Sequence, residues 1–243
     1  MKQLILTAHQ PSYLPWLGLF HKIAISDEYI YLDTVQYEKN SFINRNKIVA
    51  GNDVILLTVP VNHKNHLSKT IEQLTINNNI DWRKKHWNSL YFNYKSSPYF
   101  YKYADFFEDT YKRDWAYLSE LAFYMLKWFL DELGIDTSVK KASECNFEGR
   151  KSDLILDMSL KSNADIYVFG EMGKEYVNEA KFNEYYVTPF FQKYNHPIYK
   201  QRSEEFKPYM SIVDLLFNEG ANSLDILMND NINKNKILML RER

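Results

Sequence analysis

The segment from His9 to Gly18, His9-Gln10-Pro11-Ser12-Tyr13-Leu14-Pro15-Trp16-Leu17-Gly18, brings an imidazole, an amide, a phenol and an indole close together, with His21 and Lys22 just beyond. That mixture suits a small ligand that needs a ring to stack on, donors for phosphate, and a titratable group. An imidazole titrates near neutral pH, so His9 is the candidate general base. Pro11 and Pro15 restrict the backbone and lower the entropy lost when the loop orders around a ligand. The competing reading is structural, with Trp16 and Leu17 filling the core and His9 closing a strand. Gln10, Tyr13, Trp16 and His21 are the candidate binding residues of this first segment.

Asp33 and Gln36 follow the next apolar run and could orient the imidazole, while Asn44, Arg45 and Lys47 offer an amide and two cations for phosphate or carboxylate. A solvated hairpin with ordinary charges would look the same. Gly149-Arg150-Lys151-Ser152 precedes a helical pattern, where backbone N–H groups favour anions and Arg150 adds charge. Ser152 also suits a helix N-cap. Gly170 to Gly173, with Lys174 and Tyr176 behind it, is a second candidate phosphate or sugar contact, and His196, Tyr199 and Gln201 form a third polar group.

Ser211 and Asp214 have the types of a nucleophile and an acid, but their spacing is that of a helix-capping pair. His63, Lys64 and His66 lack a nearby carboxylate or cysteine to complete a zinc set, so no metal site is expected. His86 sits among Arg83, Lys84 and Lys85, which reads as a basic helix face. No nucleophile elbow or phosphate-binding P-loop is present.

The elements that must position these residues follow from periodicity. Leu4 to Ala8 reads as a buried strand, and the prolines delay the first helix until about Trp16, giving a helix over 17–26. Strands are expected at 29–32, 54–59, 166–169 and 187–191. Helices are expected at 81–94, 109–133, 152–161 and from Ser211 to Gly220, with Gly134 capping the longest. The aromatic stripe Trp115, Leu118, Ala122, Met125, Phe129 reads as core. The tail 229–243, rich in Asn, Lys and Arg, is expected to fray in part.

Strands alternating with helices predict an α/β fold, with a mostly parallel, Rossmann-like sheet, flanking helices and a helical C-terminal part. The first strand–loop–helix–strand unit is expected to be a parallel crossover. The 243 residues suit one domain over 1–243.

Thirty basic and 31 acidic side chains nearly cancel, which argues against a general nucleic-acid or membrane-surface binder. Cys145 is the one cysteine, so no internal disulfide can form. No apolar run approaches a spanning helix, and the N-terminal apolar run is too short for a signal peptide. Together these point to the cytoplasm.

Taken together, the motifs resemble the WbqC-like family. The resemblance rests on His9-Gln10-Pro11 with Leu14-Pro15-Trp16-Leu17-Gly18, Asp33 to Gln36, Asn44-Arg45, the 57–60 strand end, Gly149-Arg150, His196 to Gln201, and Ser211 to Gly220. It implies a bacterial protein of O-antigen or other surface-polysaccharide assembly. The resemblance by itself supplies no reaction; the leading expectation is an enzyme that carries out N-acyl or aminoacyl transfer onto a nucleotide-linked amino sugar. His9 would act as base, Asp33 or Gln36 would orient it, and Arg45, Lys47 or Arg150 would meet the diphosphate. The sugar nucleotide is the expected partner, with an acyl donor or ATP as second reactant.

The first loop also resembles, in part, the opening of nucleotidyltransferase-like and pantothenate-synthetase-like enzymes, which implies ATP-dependent nucleotidyl transfer or amide ligation as an alternative. A non-catalytic sugar-nucleotide-binding scaffold is a third reading.

Overall fold

The computed structural model describes residues 3–62 and 69–241, so His63, Lys64 and His66 lie outside the described residues. Five parallel strands form the central sheet: β1 (Ile5–His9), β2 (Glu28–Tyr31), β5 (Ser138–Lys141), β6 (Ile166–Phe169) and β7 (Thr188–Phe191), in the order β5-β2-β1-β6-β7. The expected class, a mostly parallel α/β sheet with flanking helices and a helical C-terminal part, is the one observed. β1 pairs with β2 across helix α1 (Leu17–Ala24), giving the expected parallel first unit.

Alternation along the strands divides the core. Leu6, Ala8, Ile30, Tyr167 and Phe169 pack with Leu156 and Met158 of α5 (Ser152–Lys161) and with Phe182 of α6 (Glu179–Glu184). Tyr29 and Tyr31 face the other way, into the largest core cluster. That cluster also holds Phe20 and Ile23 of α1, with buried residues of α2 (Trp82–Tyr94), α3 (Phe100–Lys112), α4 (Leu118–Leu133) and α7 (Ile212–Glu219).

Val54 to Val59 does not join the main sheet. β4 (Asp53–Thr58) pairs antiparallel with β3 (Arg45–Ala50) as a separate two-stranded hairpin. The expected helix over 109–133 is broken into the end of α3 and α4, because Arg113 is extended and the following backbone bonds elsewhere. Ile76 N–H donates to the Ala116 carbonyl at 2.9 Å and Leu118 N–H to the Leu74 carbonyl at 3.0 Å, so this stretch pairs with a neighbouring segment. Gly134 caps α4 in the left-handed region (φ 68°) as expected.

Helix α8 (Ser223–Met228) follows α7, and α9 (Lys234–Arg241) docks the tail that was expected to fray. Ile237 is buried, Lys234 Nζ pairs with Asp27 at 2.7 Å, and His21 Nε2 donates to the Ile232 carbonyl at 2.9 Å. Among the described residues no helix is long and apolar enough to cross a membrane.

Candidate functional site

β1 is the central strand. Its chain continues to β2 on one side, while β6 lies on the other, so a crevice opens where their carboxyl ends diverge. Open α/β sheets bind ligands in this position. A cavity of about 590 Å³ occupies it, lined from β1 by Ala8, His9 and Gln10, and from the end of β6 by Gly170, Glu171, Met172 and Gly173. Trp16, Lys22, Gln192, Tyr194 and Tyr209 form a further wall, with Tyr167 and Tyr176 adding two phenols.

The loop that carries Trp16 is braced from several elements. Tyr13 N–H donates to the Ile43 carbonyl, Asn46 Nδ2 to the Leu14 carbonyl at 2.6 Å, and Ile212 N–H to the Pro15 carbonyl at 2.8 Å. Leu14 is held at φ 46°, a conformation unfavourable for a branched side chain. Gly18 is required where it stands, since a Cβ there would overlap the Trp16 indole. Tyr209, across the cavity, also sits at φ 61°. Strained backbone of this kind concentrates at ligand clamps.

His9 Nδ1 lies 2.7 Å from the Gln10 carbonyl. A carbonyl only accepts, so Nδ1 carries the proton and Nε2 is left as the acceptor of the neutral ring. Burial and the neighbouring Lys22 charge lower the His9 pKa to about 4. The expectation that His9 titrates near neutral pH is therefore not met: its ring is a neutral acceptor at pH 7.

Lys22 stands in the opening mixture of residues but not among the candidate binding residues. Its ammonium is buried, donates to the Ala8 carbonyl at 3.0 Å, and faces no carboxylate within ion-pairing distance among the described residues. Burial brings its pKa down to about 8. A buried cation with one carbonyl for company is costly, and such groups concentrate at functional sites. The spacing Gly18 to Lys22 was the available signal, because residues four apart share a helix face and Gly18 underlies Trp16. Gln192 was also missed. Its Nε2 donates to the Gly18 carbonyl at 2.9 Å and lies 2.7 Å from His21 Nδ1. Gln10 Oε1 is buried with no hydrogen-bond partner in the protein, an acceptor left for a ligand donor.

A second cavity, of about 350 Å³, adjoins the first and shares His9, Trp16 and Tyr209 with it; Ser12, Phe42 and Lys47 complete its lining.

The other expected residues are elsewhere. Tyr13 is core: its hydroxyl lies 2.7 Å from Nδ1 of His86, which is itself buried and does not form the basic face expected of it. His21 is locked between Gln192 and the Ile232 carbonyl. Asp33 does not line either cavity. Its carboxylate accepts from Ser143 N–H at 2.9 Å and Ser143 Oγ at 2.7 Å, tying the ends of β2 and β5 together. Gln36 is exposed and pairs with Thr70 through the backbone. Asn44 is buried between the Val59 carbonyl and Tyr37, and Arg45 holds Asn40.

Arg150 is exposed, with its carbonyl accepting from Asp153 N–H at 3.1 Å. Ser152 is not the cap of α5 but accepts from Asn178 N–H. Lys174 lies over the Phe191 ring. Tyr199 and Gln201 both donate to Asp214 at 2.8 Å. Ser211 caps α7 as expected, whereas Asp214 is no capping residue. It accepts from Tyr94 as well, at 2.8 Å. His196 acts indirectly: Nδ1 donates to the Pro197 carbonyl and Nε2 accepts Tyr209 N–H at 3.1 Å, which fixes a residue of both cavities. His9, Gln10, Trp16 and Tyr176 are thus brought to the larger cavity and Lys47 to the smaller one.

The family model described as the WbqC-like protein family matches residues 10–226. The chain belongs to the WbqC-like family. It is also similar to an uncharacterized protein of Mycobacterium tuberculosis, 34% identical over 220 residues that cover 90% of this chain and 95% of that one. The matched span takes in Gln10, Trp16, Lys22, Lys47, Gln192 and Tyr209. No solved structure matches the chain.

Proposed function

We propose that this WbqC-like protein is a transferase of surface-polysaccharide assembly that places an acyl or aminoacyl group on the amine of a nucleotide-linked amino sugar. The observation that carries the reading is the buried Lys22 ammonium, without a carboxylate partner among the described residues, beside a neutral His9 at the switch point of the sheet. An anionic ligand is the natural complement of such a cation, and a diphosphate meets that need. Tyr167, Tyr176 and Trp16 offer flat faces for the sugar or base, and Glu171 at the cavity wall is an acceptor for hydroxyl or amine groups.

His9 Nε2 would accept the proton that the sugar amine sheds once its nitrogen has attacked the acyl carbon. Attack makes that N–H more acidic than the parent ammonium, so a ring of low pKa is a competent receiver and releases the proton readily to the leaving group. Gln10 Oε1 would receive a donor of the sugar.

A thermal-shift titration with nucleoside-diphosphate amino sugars tests the reading, because a ligand that binds only the folded protein raises its apparent stability. The wild type is expected to be stabilised and Lys22→Met is not. His9→Asn is expected to keep the shift and lose acyl transfer followed by mass spectrometry of the sugar. Equal shifts in wild type and Lys22→Met would remove the diphosphate assignment. Binding without acylation under any donor would favour the scaffold reading.

A further inference from the structure

The proposed sugar-nucleotide site leaves the smaller cavity without an assigned occupant. That cavity is lined by the exposed ring of Phe42, the indole of Trp16 and the ring of Tyr209, with His9, Ser12 and Lys47 as its polar side chains besides the Tyr209 phenol and Lys47 its one cation among the described residues. Ser12 Oγ is already spent on the Phe42 carbonyl at 3.0 Å, and His9 Nδ1 on Gln10. Lys47 is half-buried on β3 and has no ion-pairing carboxylate among the described residues. An apolar slot with a single unopposed cation fits a short hydrocarbon chain that is attached to an anionic carrier. The slot meets the larger cavity at His9, Trp16 and Tyr209. A reactive carbon held there would be presented to the amine at the one imidazole common to both.

We propose that this second cavity is the donor site and that it takes an acyl thioester on a phosphorylated carrier, with the acyl chain between Phe42 and Trp16 and a carrier phosphate on Lys47. The inference rests on the acyl-transfer reading above and supplies its missing half. The sugar nitrogen forms a bond to the thioester carbonyl carbon, and the carbon–sulfur bond breaks with its electron pair on sulfur. The amine proton passes through His9 Nε2 to the departing thiolate, so the products are the amide and a free thiol. Trp16 and Tyr209, which line both cavities, would stand between the two carriers while their reactive ends meet at His9.

Isothermal titration of the full chain with butyryl-coenzyme A, with S-butyryl-N-acetylcysteamine and with UDP separates the contributions. Butyryl-coenzyme A and UDP are expected to bind together, each with an affinity unchanged by the other. Lys47→Met is expected to weaken butyryl-coenzyme A by about ten-fold, the loss of one charge-assisted contact, and to leave the uncharged cysteamine thioester and UDP unaffected. Phe42→Ser, at a half-exposed position that folding does not require, is expected to weaken both thioesters and spare UDP. Displacement of UDP by butyryl-coenzyme A overturns the inference in favour of one continuous cleft. So does indifference of both thioesters to the two substitutions, or absence of thioester binding. Loss of UDP binding alone, with the thioester pattern intact, overturns the nucleotide assignment of the larger cavity and supports the donor site.

Discussion

Among the buried charged groups of the described residues, Asp214 and Lys22 have surroundings that could hardly differ more. Asp214, in α7, accepts hydrogen bonds from Tyr94, Tyr199 and Gln201, each at 2.8 Å. Lys22, in α1, has one backbone carbonyl at 3.0 Å and an open cavity beside it. Burial pushes the Asp214 carboxyl up, and its three donors pull it back; burial brings the Lys22 ammonium down, and no carboxylate among the described residues opposes it. A buried charge whose hydrogen-bonding capacity is filled by its own chain serves the fold. One whose capacity is left open serves a ligand.

The sharpest break of that contrast is to remove each group. Asp214→Ala strands two phenolic hydroxyls and an amide in the core, and is expected to cost about 3–4 kcal/mol. Urea unfolding measures it, and a loss below about 1 kcal/mol would mean that water or a neighbour replaces the carboxylate. Lys22→Met removes a charge the fold does not need, and at pH 7 it is expected to unfold at the same or a higher urea concentration than the wild type.

A second test addresses the wall of the cavity rather than its charge. Gly18→Ala drives a methyl into the Trp16 indole and is expected to cost about 1–3 kcal/mol of stability. It should also weaken nucleotide-sugar binding, because the indole cannot keep its place. An unchanged affinity in that variant would show that Trp16 is only core.

The smallest effect is the most specific. Between pH 8 and 10.5 the folded Lys22 is neutral while the unfolded one still holds its proton, so the unfolded state binds more protons and stability rises with pH. The cost of the charge is complete below about pH 8 and gone above 10.5. The wild type should therefore gain on Lys22→Met across that interval, measured as the difference in urea midpoint at each pH. A flat difference would mean that Lys22 stays charged and hydrated. His9 acts at the acid end: its pKa is lowered from 6.5 to about 4, so stability falls as pH drops through that window, and His9→Gln should blunt the fall.

Periodicity in the sequence was enough to place β1, α1, α5 and β6, because each buries a face whose spacing is local. It was not enough for the break at Arg113 to Tyr117, where the backbone leaves the helix to pair with Leu74 and Ile76, nor for the sheet that Val54 to Val59 joins. Those outcomes depend on partners distant in the chain. The site divides in the same way. His9, Gln10 and Trp16 were legible because a proline-fixed loop after a strand end can only emerge at the sheet's carboxyl edge. Tyr13, His21, Asp33, Asn44, Tyr199 and Gln201 carry the same kinds of polar atoms, and nothing in their spacing reveals that each is already bonded within the protein. Lys22 was hidden by the reverse problem, since a lysine in a short helix ordinarily reaches solvent.

The docking of the tail has a consequence for the order in which the protein is made. Helix α1, which carries Lys22, is clamped at His21 by the Ile232 carbonyl, while Lys234 pairs with Asp27 just after it. Gln192, which lines the cavity, holds the same histidine. During synthesis the first wall of the cavity is translated some two hundred residues before its fastenings arrive. A ribosome-bound chain short of Ile232 would carry the loop and the lysine without their anchor, so ligand binding is a property the nascent chain acquires only once Ile232 has been made.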